Sequence, residues 1–129
     1  MDIKRDNSSL KILVAEDEPE LLRFYKVLLE DKGYEVVTSR DGQECVDAYT
    51  RVSKMKGGFD LVILDHRMPK KNGLEVAMEI AAMNPSQKFL MITAYADILR
   101  LAYKPANMKV MPKPFEVDEL LSIINELSK

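Results

Sequence analysis

Short apolar runs alternate along the chain with longer stretches in which apolar residues recur at helical spacing. The runs predict five strands: LKILVA (10–15), YEVVTS (34–39), DLVIL (60–64), KFLMIT (88–93) and KVM (109–111). The longer stretches predict five helices, at 19–33, 41–55, 73–83, 97–104 and 117–128. Pro19 and Gly33 are placed to begin and end the first helix, and Asp41 is placed to cap the second.

Strands and helices that alternate in this way indicate a parallel sheet covered by helices on both faces. Strands that are apolar throughout agree with this, because both faces of such a sheet are buried. We therefore predict a doubly wound, flavodoxin-like α/β fold with strand order 2-1-3-4-5. Residues 1–9 are polar and predict a flexible N-terminal tail, and residues 10–129 form one domain.

Composition excludes several classes of function. The 129 residues are 47% hydrophobic and 31% charged, which is typical of one soluble domain. A net charge of -2 gives no basic patch for nucleic acid, and no apolar run approaches the ~20 residues of a membrane span. Cys45 is the single cysteine, so no internal disulfide is possible and we expect a cytoplasmic protein.

Carboxylates follow two strands that are neighbours in the predicted order. Glu16, Asp17 and Glu18 follow the first strand, and Asp65 follows the third. Neighbouring strands lie about 4.8 Å apart, so these acids should share a cleft where the strand order reverses. Crowded carboxylates repel one another, and a hard divalent cation removes the conflict. Oxygen ligands of this kind suit Mg²⁺.

Two further polar residues reach the same edge of the predicted sheet. Thr93 ends the fourth strand, and Lys113 follows the fifth within MPKPF. A hydroxyl and an ammonium beside an acid-bound metal make a site for a phosphoryl group, whose charge is neutralised on several oxygens.

At this point the chain closely resembles the receiver domain of two-component response regulators, over essentially residues 10–128. Four motifs carry the resemblance, each at the end of its own strand: Glu16-Asp17, LDHRMPKKNG around Asp65, ITA around Thr93, and KPF at Lys113.

The resemblance implies a phosphoacceptor switch. Asp65 would accept a phosphoryl group from a phosphohistidine on a sensor histidine kinase or a histidine phosphotransfer protein. Thr93 and Lys113 would bind the phosphoryl oxygens, and the Lys113–Pro114 bond would be cis. The domain would catalyse its own phosphorylation and dephosphorylation, without turning over an external substrate.

The resemblance also implies a ligand set and partners. Asp17, Asp65 and the backbone carbonyl of Arg67 would hold Mg²⁺, with Glu16 helping through water. Phosphorylation would alter the surface around the fourth helix and fifth strand for a downstream protein target. Direct contact with nucleic acid or a membrane is not expected. The chain would be a monomer or a weak, phosphorylation-dependent homodimer, and could be a stand-alone receiver, a phosphorelay intermediate or an excised domain.

Three features depart from the family pattern. Glu16 replaces the commoner Asp, Val110 stands where many members carry a switching Tyr or Phe, and the stretch from Thr93 to Lys113 is shorter than usual. The last two features put the usual output mechanism in question.

Other readings of these residues stay open. A metal-dependent phosphatase with an aspartyl nucleophile would want an acid two residues after Asp65, where Arg67 stands. A flavin carrier would want a Ser/Thr/Gly loop after the first strand, where EDEPE stands. A receiver-like binding module that is never phosphorylated is the remaining alternative. Taken singly, His66 suits a neutral surface role, Glu18 suits the first turn of a helix, and Thr93 could cap one.

Overall fold

Five strands and five helices alternate in the computed structural model, which describes residues 10–53 and 57–128. The strands are β1 (Lys11–Ala15), β2 (Glu35–Ser39), β3 (Leu61–Asp65), β4 (Phe89–Thr93) and β5 (Met108–Pro112). The helices are α1 (Pro19–Asp31), α2 (Gly42–Ser53), α3 (Gly73–Met83), α4 (Ala96–Leu101) and α5 (Val117–Leu127). The predicted tail at residues 1–9 and the predicted end of the second helix at 54–55 lie outside the described residues.

The strands form one parallel sheet in the order β2-β1-β3-β4-β5. This confirms the predicted fold class and strand order. The register pairs Ala15 with Leu64, Asp65 with Ile92, and Thr93 with Pro112. The carboxyl ends of four neighbouring strands therefore meet at one edge, and the strand order reverses between β1 and β3.

The core has one layer on each face of the sheet. On one face, Leu13, Val62 and Leu64 pack with buried residues of α2 and α3. On the other, Ile12 and Ile63 pack with buried residues of α1 and α5. Every residue of β3 and β4 is buried, as their unbroken apolar sequences require.

Local signals fix most helix ends where the sequence predicts them. Pro19 begins α1, and Gly33 follows its end with a φ of 94°, a conformation that glycine adopts without steric cost. The Asp41 side chain accepts the Glu44 N–H at 2.8 Å and caps α2, as predicted.

The fourth helix is shorter than the sequence pattern predicts. It ends at Leu101 rather than at residue 104, and Ala102 is already extended with a ψ of 157°. A proline at 105 disfavours helical backbone at the residue before it, and a helix of six residues depends on packing for its stability. Residues 102–107 therefore run as a loop into β5.

Candidate functional site

A cleft of about 300 Å³ opens at the carboxyl edge of the sheet, beside the point where the strand order reverses. It is lined by Asp17, Glu18, Asp65, His66, Arg67, Thr93, Ala94, Tyr95 and Lys113. The predicted site residues thus converge, with Glu16 as the exception because it lies at 1% exposure beneath the cleft. A larger depression of about 480 Å³ runs along α1 and is lined by Glu20, Arg23, Phe24, Val27, Leu28 and Asp31.

Asp65 and Lys113 form the central contact of the cleft. The Lys113 ammonium donates to Asp65 Oδ1 at 2.8 Å. Lys113 is held there because its backbone N–H donates to the Thr93 carbonyl at 2.9 Å, which continues the pairing of β4 and β5. The Lys113–Pro114 bond is cis, as predicted. Asp65 lines the cleft but is only 9% exposed, so most of its side chain is buried.

Glu16 is held by the turn between β1 and α1. Its backbone N–H donates to the Ser39 carbonyl at 3.1 Å, and its Oε2 accepts the Glu18 N–H at 3.1 Å. Its Oε1 lies 3.6 Å from the Lys113 ammonium and has no hydrogen-bond partner among the described residues. A buried carboxylate with one oxygen unpaired has spare capacity to accept a proton or a hydrogen bond.

Burial dominates the electrostatics of the two buried acids. It raises the pKa of Glu16 to about 7, against the opposing hydrogen bond from Glu18. Burial also raises the pKa of Asp65, although the hydrogen bond and charge of Lys113 act in the opposite direction. For Lys113, burial lowers the pKa, but the contacts with Asp65 and Glu16 outweigh it and the net shift is upward.

The acidic cluster fits a hard divalent cation. Carboxylate oxygens of Glu16, Asp17 and Asp65 can all lie within 4.8 Å of one another. Asp17 is exposed to the cleft, whereas Glu16 and Asp65 are buried. Asp17 and Asp65 therefore present oxygens to a common space, and Glu16 lies behind them. The unpaired Oε1 of Glu16 also leaves the cluster a buried oxygen that can accept a hydrogen bond from a metal-bound water.

The loop after β3 is fixed closely against Asp65. The Gly73 N–H donates to the His66 carbonyl at 2.7 Å, and a side chain at Gly73 would collide with the Asp65 carbonyl. The Gly42 N–H donates to the Pro69 carbonyl at 3.3 Å, which ties this loop to α2. The loop places Arg67 in the wall of the cleft, and the role of its carbonyl as a metal ligand stays a prediction.

Thr93 is buried at the end of β4, where its hydroxyl oxygen accepts the Tyr95 N–H at 2.9 Å. The hydroxyl therefore shapes the turn into α4, but Thr93 does not cap that helix, because the N-cap residue is Tyr95 and it makes no side-chain capping hydrogen bond. Accepting one hydrogen bond leaves the Thr93 hydroxyl free to donate its own proton. The nearest side-chain partner for that proton is His66 Nδ1 at 3.4 Å.

The contact between His66 and the Tyr95 ring in the cleft wall was not predicted from the sequence. His66 is half-buried in the cleft wall, with its ring 6.5 Å from that of Tyr95 at 77°. Burial, followed by the charge of Arg67, lowers the pKa of His66. The available signal was that both residues lie just after strand ends, His66 one position after Asp65 and Tyr95 two positions after Thr93.

A doubly wound sheet with an acidic, lysine-bearing cleft at its switch point defines a receiver-type α/β domain. The sequence model of the response regulator receiver domain matches residues 12–125, and the chain belongs to this family. This confirms the resemblance drawn from the four motifs.

Named relatives agree with that assignment. The response regulator ArlR of Staphylococcus aureus is 35% identical over 121 residues, covering 91% of this chain and 52% of ArlR. The chain thus spans about half the length of the curated relatives it matches. Among residues 10–53 and 57–128, no helix combines the length and hydropathy that a membrane span requires.

Solved structures share the fold. The response regulator TrrA of Thermotoga maritima, in complex with Mg²⁺-BeF, has a TM-score of 0.79 at 35% identity, covering 92% of this chain and 98% of TrrA. The non-phosphorylated HemR receiver domain of Leptospira biflexa has a TM-score of 0.80 at 31% identity, covering 93% and 94%. The family and the acidic cluster both support the predicted Mg²⁺ cofactor.

Proposed function

We propose that this chain is a phosphoacceptor signalling switch in which Asp65 takes a phosphoryl group from a phosphohistidine. The observation that carries the proposal is the pairing of Asp65 Oδ1 with Lys113 Nζ at 2.8 Å, inside an acidic cluster that fits a divalent cation. An isolated acid at a strand end would have neither partner.

The chain's own residues divide the work of the transfer. An oxygen of the Asp65 carboxylate attacks phosphorus, an O–P bond forms, and the P–N bond to the donor imidazole breaks. Lys113 then follows the negative charge from the carboxylate to a phosphoryl oxygen, and the Thr93 hydroxyl donates to another. The Lys113 ammonium and the Thr93 hydroxyl already lie at the edge of the cleft, so the transfer requires only short movements of these side chains.

Mg²⁺ belongs to the proposal as the cofactor. Asp17, Asp65 and the Arg67 carbonyl would hold it, with Glu16 behind them through water. When bound, the ion neutralises charge on the phosphoryl oxygens. The chain contributes the positions of these oxygens, which β1, β3 and the loop after β3 fix.

The proposed partners follow from membership of the family. The donor is a sensor histidine kinase or a histidine phosphotransfer protein, and the reader is a downstream protein that recognises the surface around α4 and β5. The proposed oligomeric state remains a monomer or a weak, phosphorylation-dependent homodimer. The proposed receiver domain comprises residues 10–129. A buried free thiol at Cys45 suits the cytoplasm that we propose as the location.

The alternative of a turnover phosphatase gains nothing from the structure. The residue two positions after Asp65 is Arg67, whose guanidinium lies 4.7 Å from the Tyr95 ring centroid. A guanidinium is always protonated at ordinary pH and cannot serve there as a general acid.

Intact mass spectrometry tests the proposal. The protein is incubated with Mg²⁺ and acetyl phosphate, and its mass is measured before and after hydroxylamine. We expect an adduct of one phosphoryl group that acid leaves in place and hydroxylamine removes. Absence of any adduct in the wild-type protein would count against the proposal and favour a receiver-like binding module that is not phosphorylated.

Two variants, one at each end of β3, make the test specific. Asp65→Asn keeps the shape of the side chain and removes the nucleophile, so the adduct should disappear. Asp60→Asn is the matched control at the opposite end of the sheet, where the Asp60 carboxylate accepts the Lys11 N–H at 2.7 Å. This control should be phosphorylated like the wild-type protein. An adduct that persists in Asp65→Asn at the wild-type rate refutes the assignment.

A further inference from the structure

Tyr25 brings a hydroxyl into the core on the α1 face of the sheet. The residue is 2% exposed, and its hydroxyl has no hydrogen-bond partner among the described residues. A buried hydroxyl without a partner destabilises a protein, and such groups are rare in folded chains. Phenylalanine would fill the same space without that cost, so the hydroxyl points to a second state in which it is used.

The geometry of α1 directs this hydroxyl toward the acids. α1 begins at Pro19, just after the acidic turn at the carboxyl end of β1. Long side chains on a helix lean back toward its N-terminus, so the Tyr25 ring extends from the middle of α1 toward that turn. In agreement, the charges of Glu16, Asp65 and Glu18 add to burial in raising the pKa of Tyr25.

Glu16 supplies a buried acceptor that likewise has no hydrogen-bond partner among the described residues. Its Oε1 is buried without a hydrogen-bond partner, and its nearest cation is the Lys113 ammonium at 3.6 Å. That ammonium already donates to Asp65 at 2.8 Å. An unpaired donor on α1 and an unpaired acceptor at the turn before α1 thus lie in the same part of the fold, close enough for the charge of Glu16 to act on Tyr25.

The ring of Tyr25 is also in contact with the loop that carries Lys113. Tyr25 and Phe115 stack with centroids 6.2 Å apart and an interplanar angle of 19°. Phe115 follows Lys113 by two residues. Tyr25 therefore touches the one segment whose lysine must move if Asp65 becomes phosphorylated.

We propose that Tyr25 is a positioning residue for Glu16, whose carboxylate accepts a hydrogen bond from the Tyr25 hydroxyl when Lys113 turns to a phosphoryl group on Asp65. The inference rests on the proposed function. Once Lys113 follows the charge onto the phosphoryl oxygens, Glu16 Oε1 loses the ammonium that lies 3.6 Å from it. The tyrosine hydroxyl then replaces it and keeps the carboxylate oriented behind the metal site.

Tyr25→Phe tests this, because it removes one oxygen and keeps the ring stacked on Phe115. The measurement is the affinity of the full chain for Mg²⁺ and beryllofluoride, a phosphoryl mimic, by calorimetry. We expect binding about tenfold weaker than in the wild-type protein, the scale of one hydrogen bond to a charged group. Without Mg²⁺ and beryllofluoride, the variant should be at least as stable as the wild-type protein, since its hydroxyl is unpaired there.

Two further variants separate positioning from packing. In a Glu16→Gln background, Tyr25→Phe should have much less effect, because the charged acceptor has been removed. Tyr49→Phe is the matched control: its hydroxyl donates to Gln87 Oε1 at 2.7 Å, away from the cleft. It should lower stability equally with and without Mg²⁺ and beryllofluoride, and leave the affinity unchanged.

The outcomes distinguish the two proposals. Wild-type affinity in Tyr25→Phe overturns the inference and leaves the proposed function standing. An equal loss in the Glu16→Gln background overturns it as well, since the hydroxyl would then act on another group. A wild-type protein that binds no Mg²⁺ and beryllofluoride overturns the proposed function, and the inference with it.

Discussion

The guanidinium of Arg67 lies 4.7 Å from the centroid of the Tyr95 ring, so that a cation–π contact spans the mouth of the cleft. The two residues come from different loops, after β3 and after β4, and each stands two positions after a predicted phosphoryl-binding residue. Tyr95 also contacts the His66 ring edge-on at 6.5 Å. These side chains line the cleft that also holds Asp65, so we expect them to limit the approach of a hydrolytic water.

We therefore predict slow self-dephosphorylation that depends on this contact. A cation–π contact contributes about 0.5–2 kcal/mol, so opening it should raise the hydrolysis rate about 2- to 30-fold. The double variant Arg67→Ala/Tyr95→Ala keeps the Arg67 carbonyl and should show the faster rate. The lifetime of the phosphoryl adduct, followed by intact mass, is the measurement. Arg100→Ala, which removes an arginine of α4, is the control and should keep the wild-type half-life; an unchanged half-life in the double variant rejects the idea.

Asp17 and Glu16 should contribute unequally to Mg²⁺ affinity. Asp17 is exposed in the cleft, whereas Glu16 is 1% exposed beneath it and already accepts the Glu18 N–H at 3.1 Å. Asp17→Ala should weaken Mg²⁺ binding about tenfold or more, as expected for a direct ligand, and Glu16→Ala should weaken it less. A Mg²⁺ titration followed by NMR or fluorescence compares them, and equal losses would remove the distinction between direct and indirect ligands.

The raised pKa of Glu16 predicts how stability without metal depends on pH. Below pH 4.5 the carboxyl is protonated in both states, so its full contribution to stability is present. Between pH 4.5 and about 7 it ionises only in the unfolded chain, so the free energy of unfolding falls as pH rises, and it levels off above about 7. The loss is at most about 3 kcal/mol, at 1.36 kcal/mol for each pKa unit.

Chemical denaturation in the presence of EDTA, at pH values between 4 and 8, measures how the free energy of unfolding changes with pH. Glu16→Gln should make this dependence weaker. Asp65 shifts in the same direction and contributes to the slope in both proteins, so the difference between them isolates Glu16. A Glu16→Gln variant that retains the whole wild-type slope would show that Glu16 titrates normally. Added Mg²⁺ should reduce the slope, because a bound cation favours the ionised carboxylates.

Much of this arrangement could be predicted because it depends on patterns that are local in sequence. Apolar runs fix the strands, and the strand order then brings Asp65 and Lys113 to one edge although they are far apart in the chain. The end of α4 could not be predicted, because a six-residue helix is held by its packing and not by its own pattern. The sequence also could not predict that the Tyr25 hydroxyl is unpaired. Helical spacing places the tyrosine in the core but does not determine where its oxygen points.

The last prediction concerns how a phosphorylated Asp65 changes the protein's surface. Val110 is 9% exposed on β5, and its β-branched side chain is stiff, so it has little freedom to turn. Its carbonyl accepts Arg100 Nη2 at 3.3 Å, which joins α4 to β5 through the backbone of Val110 and not its side chain. On α4, Ile98 and Leu101 are exposed, at 68% and 90%, whereas Leu99 is buried against the core.

Phosphorylation should therefore order or shift the whole segment 94–109. Tyr95 or Tyr103 would then take the place of the switching aromatic residue that many family members carry at the position of Val110. Movement of Thr93 toward a phosphoryl oxygen pulls on the Tyr95 N–H, which its hydroxyl accepts at 2.9 Å, and Tyr95 precedes α4 directly. Hydrogen exchange with and without beryllofluoride measures the effect. Protection should rise across 94–109 and should persist in Val110→Ala, because the backbone link survives that change. Arg100→Ala breaks the link and should reduce the gain in β5, while changes confined to residues that touch Asp65 would mean that the signal leaves the site by another route.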